Sequence, residues 1–314
     1  MNTNASAKIP ISESIHNYAT GKQKILGHLA LILFATLIAG SFSLGSIAIP
    51  YLEPAALNAM RFFIGAILIG ITCQFVLPGG LTVPPAPWRF LVLGGIMAAY
   101  FVTMFIALQT TTPVATGAVF TLVPLMTAIS GYLILRQKSK PLVLFALAVG
   151  AIGSVWVIFR GDLQAILGFN IGQGEWIYFI GCIGHAFYAP LIKRFNRGEP
   201  LLLFTFWTVV GIFLFVAAYG FNDILATDWA SIPFFVWGVI AYLATFTTAV
   251  TLYLLKFASI RLPAAKVLAY GYLVPVVVIL MEGLAGHGWT SMTVLVGAMV
   301  IVLGLVILVV SPDE

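Results

Sequence analysis

The sequence predicts an all-α integral membrane protein of ten transmembrane helices, arranged as two inverted five-helix repeats. Three observations carry this expectation. The chain is 61% hydrophobic and 8% charged, with a mean hydropathy of +1.08, whereas a soluble domain carries about a quarter charged residues. It contains ten apolar runs of about 19 to 24 residues, each long enough at ~1.5 Å per residue to cross a hydrocarbon core of ~30 Å. Its second half also repeats features of its first at constant spacing.

In chain order, residues 1–24 are polar and form an N-terminal tail. Span one (27–49) is longer than the apolar region of a secretory signal and no small-residue cleavage site follows it, so it counts as a membrane helix. Span two (54–76) carries Arg61, and span three (89–109) carries Tyr100 and Thr103. Span four (113–135) is apolar from Val119 to Leu135 apart from threonines and a serine, yet it contains "LVPLM", with Pro124 inside it. Span five (141–159) closes the first half, 25–160, and an external linker, 161–173, leads to the second, 174–310. Span six (174–193) holds His185 and Tyr188, span seven (200–220) is nearly all apolar, and span eight (232–255) holds Tyr242, Thr245, Thr248 and Thr251. Span nine (263–284) contains Lys266, Tyr270, Pro275 and Glu282, span ten is 289–310, and residues 311–314 form the C-terminus.

Orientation follows from the basic residues. With the N-terminus in the cytoplasm, the inside segments hold Lys8, Lys22, Lys24, Arg89, Arg136, Lys138, Lys140, Lys193, Arg194, Arg197, Lys256 and Arg261, while the outside loops hold only Arg160. Both termini are therefore expected in the cytoplasm, with the chain in the inner (plasma) membrane. The net charge of +5 reports this orientation. A nucleic-acid partner has no support, because the basic residues are spread over five loops. Cys73 and Cys182 fall within spans and read as small apolar residues, not as a disulfide pair.

The internal repeat rests on two offsets. "LVP" at Leu122 to Pro124 recurs at Leu273 to Pro275, a spacing of 151 that also relates Gly153 to Gly304. "EP" at Glu53 and Pro54 recurs at Glu199 and Pro200, a spacing of 146 that also relates Gly65 to Gly211. Five is odd, so the second copy enters the membrane upside down, the architecture of many secondary transporters. A membrane proline frees a backbone carbonyl and kinks its helix. Pro124 and Pro275 thus read as a symmetric pair of hinges, with static packing as the other reading.

The stretch "LFATLIAGSFSLGSIAIPYLEPAALNAMRFFIGAIL", with its small-residue first span and the Arg-Phe of the second, resembles the opening of an EamA repeat of the drug/metabolite transporter superfamily. The family's prolines in spans four and nine match Pro124 and Pro275, and the resemblance runs from about Gly27 to Val310. In size and layout the chain is most similar to the family's bacterial amino-acid exporters. Family repeats often end the fourth helix with Gly-Glu, where this chain has "RQKSK" and "GHGW", so no role for that glutamate carries over.

Ionisable residues inside spans are costly and are default functional candidates. His185 lies eleven residues into span six, ~16 Å along a helix, with Tyr188 one turn on; it reads either as a substrate-cavity group or as a neutral histidine bonded to a neighbouring helix. Lys266 and Tyr270, at i and i+4, share a helix face that suits a carboxylate and an aromatic side chain, but a lysine so near the membrane edge also snorkels. Tyr242, Thr245 and Thr248 in span eight and Tyr100 and Thr103 in span three either line the cavity or, for the threonines, bond back to their own helix. Arg61 and Glu282 fall toward the outer end, either as a gate-like ion pair or reaching the headgroups independently.

No metal-ligand cluster, partnered nucleophile or phosphate-cradling loop is present in the sequence, so neither an enzyme nor a cofactor or metal is expected. Channels usually build their filter from several subunits, which leaves a secondary transporter acting by alternating access. A phosphorylated cargo asks for several basic residues near the midplane, which this reading does not find there. The expected partners are the bilayer and amino acids or similar small metabolites, above all aromatic and hydrophobic amino acids exported from the cytoplasm. Protons are a candidate coupling ion through His185, with a facilitator that runs down the substrate gradient as the other reading. The chain is expected to act as a monomer.

Overall fold

The apolar runs fold as helices, and prolines mark where they start and where they break. In the computed structural model, which describes residues 18–168 and 170–311 and omits the side chain of Ala265, span one is Gly21–Ala48 with a 3-10 turn at Ile49–Tyr51, span two Pro54–Val76, span three Trp88–Ala107 and span five Pro141–Ile158. Span six is Gln173–Phe195, span seven Leu201–Tyr219 and span ten Met292–Val310. Most of the expected N-terminal tail, including Lys8, and residues 312–314 lie outside the described residues. Pro54, Pro113 and Pro141 sit in the first turn of their helices, where a missing N–H costs nothing. The side chains of Thr112 and Ser291 cap spans four and ten by accepting the N–H groups of Ala115 and Val294.

The remaining three spans are interrupted. Span four divides into Pro113–Phe120 and Val123–Leu135, and span nine into Ala264–Ala269 and Val274–Leu284 around a 3-10 stretch, Tyr270–Leu273. Both interruptions fall just before the paired prolines. Span eight runs from Phe234–Ala244 through a π-helical segment, Thr245–Val250, into Thr251–Ser259.

Among the described residues nine helices are long and apolar enough to cross a membrane. The exception is span six, which has the length, 23 residues, but not the apolarity. Its polar groups turn inward: Tyr178, Cys182, His185 and Tyr188 are buried. Large apolar side chains such as Phe75, Phe145, Ile152 and Met299 point outward instead. The chain is a multi-pass, all-helical membrane protein.

The Ala19 N–H donates to the Arg261 carbonyl, the Gln137 amide to the Tyr18 hydroxyl, and the Lys266 ammonium to the Ser311 carbonyl. Both described chain ends and the turns at 136–140 and 260–263 therefore share one face, here the terminal face; turns at 49–53, 108–112, 159–172 and 284–291 lie on the opposite one.

The repeat is visible in the packing. A Cβ on Gly153 would come within 3.0 Å of the Gly297 carbonyl oxygen and the Ile301 nitrogen. One on Gly304 would do the same to the Ala146 oxygen and the Gly150 nitrogen. Subtracting 151 from 297 and 301 gives 146 and 150, so spans five and ten cross through matched contacts. Gly211 likewise lets span seven press against the Phe90 carbonyl and Gly94 of span three, and Gly65 lets span two approach Ala244 and Thr248 of span eight.

Candidate functional site

The candidate site lies where spans three, four and six meet. Span six packs onto span three at Gly181, where any Cβ would overlap Thr103. This brings Tyr100, Tyr178 and His185 together. The Tyr178 hydroxyl donates to that of Tyr100 over 2.8 Å. The His185 ring centroid lies 4.4 Å from that of Tyr100, 5.4 Å from Phe120 and 6.2 Å from Tyr188. His185 is 2% exposed, and its Nδ1 has no hydrogen-bond partner among the described residues. Twelve residues past Gln173, it sits ~18 Å along a helix that is 23 residues long, near the middle.

The helix break of span four adjoins this cluster, since Phe120 ends its first half. Span five holds both breaks in place. Thr121 shares a hydrogen bond with Ser154, and the Tyr272 hydroxyl donates to the Leu147 carbonyl over 3.1 Å, its ring resting on Gly150 where no Cβ fits. In span six Pro190 leaves the carbonyl of Ala186 without its helical donor. The Ser130 hydroxyl of span four supplies one over 2.6 Å.

The other predicted residues disperse. The Tyr242 hydroxyl donates to the Leu37 carbonyl over 3.0 Å, in space left by Gly40. Thr103 bonds back to Ala99 and Tyr100, and Thr251 to Thr247, as threonines in helices do. Thr245 is half-buried in the π-helical segment. Lys266 is buried with its ammonium on the Ser311 carbonyl beyond the C-terminal end of span ten, a favourable place for a cation. The Tyr270 hydroxyl instead meets Nδ1 of His28, 2.8 Å away. Lys266 and Tyr270 thus do not face one ligand, because the helix tightens to 3-10 winding at Tyr270 and the i, i+4 register ends there.

Arg61 corrects the sequence reading most. It does not pair with Glu282, and it does not reach a headgroup. Glu282 bonds His287 over 2.8 Å on the opposite face. Arg61 is fully buried: its Nε donates to the Thr248 hydroxyl over 2.8 Å and its Nη2 to the Thr247 carbonyl over 3.0 Å. Its guanidinium lies 4.3 Å from the Phe101 ring centroid and 4.9 Å from that of Phe62. Those partners are far away in sequence, and a residue eight places into a helix looks peripheral until its neighbours are known. The expected central cavity is closed as well: Tyr100, His185, Tyr188, Thr248 and Tyr270 are each at most 4% exposed.

Open space lies at the ends. On the opposite face one cavity of about 590 Å³ is lined by Glu53, Asp223 and Asp228, and another of about 450 Å³ by Arg160, Glu282, His287 and Trp289. On the terminal face a cavity beside Tyr18, Gln137 and Lys266 measures about 40 Å³. That face also carries a buried charge network that sequence reasoning missed. Arg89 binds Glu199 and the Phe195 carbonyl, and donates to the carbonyls of Pro85 (2.7 Å) and Ala86 (3.1 Å). Lys256 donates to Asn196 over 2.8 Å, its ammonium 3.4 Å from the Phe204 ring centroid. Burial pushes the Glu199 carboxyl up, but hydrogen bonds from Arg89 and the Arg197 N–H outweigh it and hold the group below the usual glutamate range. The signal available was the repeated "EP", which puts Glu199 at the mouth of span seven.

The family model described as "EamA-like transporter family" matches residues 25–159 and 172–310. An uncharacterized transporter, YyaM, of Bacillus subtilis (strain 168) is 27% identical over 281 residues, covering 88% of this chain and 91% of that protein. A solved structure, described only as the crystal structure of a protein, superposes with a TM-score of 0.68 at 19% identity, covering 91% of this chain and 96% of that one. That likeness shows the fold.

Proposed function

Because the chain belongs to the EamA-like transporter family, we propose that it exports aromatic and hydrophobic amino acids from the cytoplasm, the two halves, 25–160 and 174–310, moving against each other to give alternating access. The observation that carries the reading is the cluster of Tyr100, Tyr178, Phe120, Tyr188 and His185 near the middle of spans three, four and six, beside the break before Pro124. Aromatic rings at that depth offer stacking and cation-π contacts to an aromatic or apolar zwitterion. The breaks at Pro124 and Pro275 are the proposed hinges. The terminal face is assigned to the cytoplasm of the inner membrane, because the lysines and arginines concentrate there. In this reading the Arg89–Glu199 network seals the cytoplasmic side while cavities open outside. His185 is the proposed proton carrier, and the working unit is the monomer.

Counterflow in proteoliposomes tests the proposal. Vesicles loaded with one unlabelled amino acid should accumulate the same labelled amino acid for tryptophan, phenylalanine or methionine, and not for a sugar phosphate. Silence for every amino acid, with and without a pH gradient, would refute the substrate assignment and leave the family membership standing.

A further inference from the structure

The side chain that the proposed mechanism leaves unused is Arg61. Four other basic side chains or rings are buried among the described residues: Arg89 has Glu199, Lys256 has Asn196, Lys266 has the Ser311 carbonyl, and His185 needs no counter-ion when neutral. Arg61 is 0% exposed, and among the described residues it has no carboxylate partner and its Nη1 is buried without an acceptor.

A guanidinium carries five N–H donors in a fixed fork whose geometry matches a carboxylate. Here one edge of the fork is already held: Nε by the Thr248 hydroxyl and Nη2 by the Thr247 carbonyl. Those acceptors come from the π-helical segment Thr245–Val250, an irregularity that is rare and concentrates at functional sites. Gly65, one turn beyond Arg61, permits the close approach of the two helices that makes this grip possible. The flanks are aromatic, with Phe101 and Phe62 against the guanidinium. A cation held rigidly on one edge, walled by rings and lacking a counter-ion on the other edge, is built to receive a small anion.

We propose that Arg61 is the carboxylate anchor for the transported solute, its free Nη1 edge taking the carboxylate while the neighbouring rings pack against an apolar or aromatic body. The solute class is thus a small apolar or aromatic carboxylate. Only the added α-ammonium group, which makes that carboxylate an amino acid, rests on the reading of the preceding subsection. Tyr100 joins the two regions: its ring contacts His185 on one side, and Phe101, the next residue, contacts Arg61 on the other.

Ligand-induced stabilisation of the full chain in lipid nanodiscs tests the anchor. The probes are L-phenylalanine, 3-phenylpropionate and L-phenylalaninamide, so that carboxylate and ammonium are removed one at a time. Wild type should respond to phenylalanine and phenylpropionate and not to the amide. Arg61→Gln should bind both carboxylates about 30-fold more weakly or worse, the effect of removing one partner of a buried charge pair. Arg61→Lys, which keeps the charge and guards against loss of the fold, should retain part of the response. If the wild-type protein answers phenylalanine and its amide equally, or if no carboxylate probe acts on it, the anchor is overturned. If Arg61→Gln binds phenylalanine as wild type does, the anchor falls while amino-acid export stands. Binding of phenylpropionate through Arg61 with no response to phenylalanine would keep the anchor and remove the amino-acid reading.

Discussion

Glu199→Gln probes the charge network of the terminal face. Arg89 and Glu199 are 1% and 8% exposed at their side chains, and Lys256, 2% exposed, is close enough for Glu199 to act on it electrostatically. Removing the carboxylate leaves the buried Arg89 guanidinium and the Lys256 amine with only neutral acceptors. Breaking a buried pair by deleting one partner costs about 3–5 kcal/mol. The lower end, about 3 kcal/mol, is expected here because Arg89 keeps the carbonyls of Pro85, Ala86 and Phe195. Reversible unfolding in mixed micelles measures this, and Arg89→Gln with the double variant closes a cycle whose coupling should exceed about 1 kcal/mol. The folded-state pKa of Glu199 is lowered, so its contribution is complete above the ordinary glutamate range and is lost as pH falls through the lowered value. Wild type and Glu199→Gln should therefore converge in acid. A loss under about 1 kcal/mol at neutral pH, the level of an exposed pair, would refute the claim that this network is desolvated.

Three further outcomes follow from the packing. Gly211→Ala forces a Cβ onto the Phe90 backbone carbonyl and should cost about 1–3 kcal/mol. Its repeat partner Gly65→Ala meets a Thr248 methyl at 3.0 Å and should cost less; the reverse order in the same unfolding assay would contradict the crossing geometry. Pro124→Ala and Pro275→Ala should each slow counterflow while the protein stays folded by gel filtration, and unchanged turnover in both would remove the hinges. His185→Phe keeps an aromatic ring among Tyr100, Phe120 and Tyr188 but deletes the titratable nitrogens, so the response of counterflow to a pH gradient should vanish; a preserved response would take the proton role from His185.

Much of the fold was legible in the sequence because its causes are local. Apolarity and length act on each run separately, and a proline removes a donor within its own turn, so the helices and both breaks before Pro124 and Pro275 follow from composition and spacing. The 151-residue offset paired Gly153 with Gly304, and the structure shows both glycines at the crossing of spans five and ten. Only the tertiary structure decided who faces whom. Arg61 finds Thr248 across 187 positions and Arg89 finds Glu199 across 110. In a membrane protein the lipid-facing and core-facing sides of a helix are both apolar, so hydropathy leaves rotation and tilt undetermined. Those two quantities carried Arg61 inward from an expected headgroup position, separated Lys266 from Tyr270, and set Tyr100 against His185.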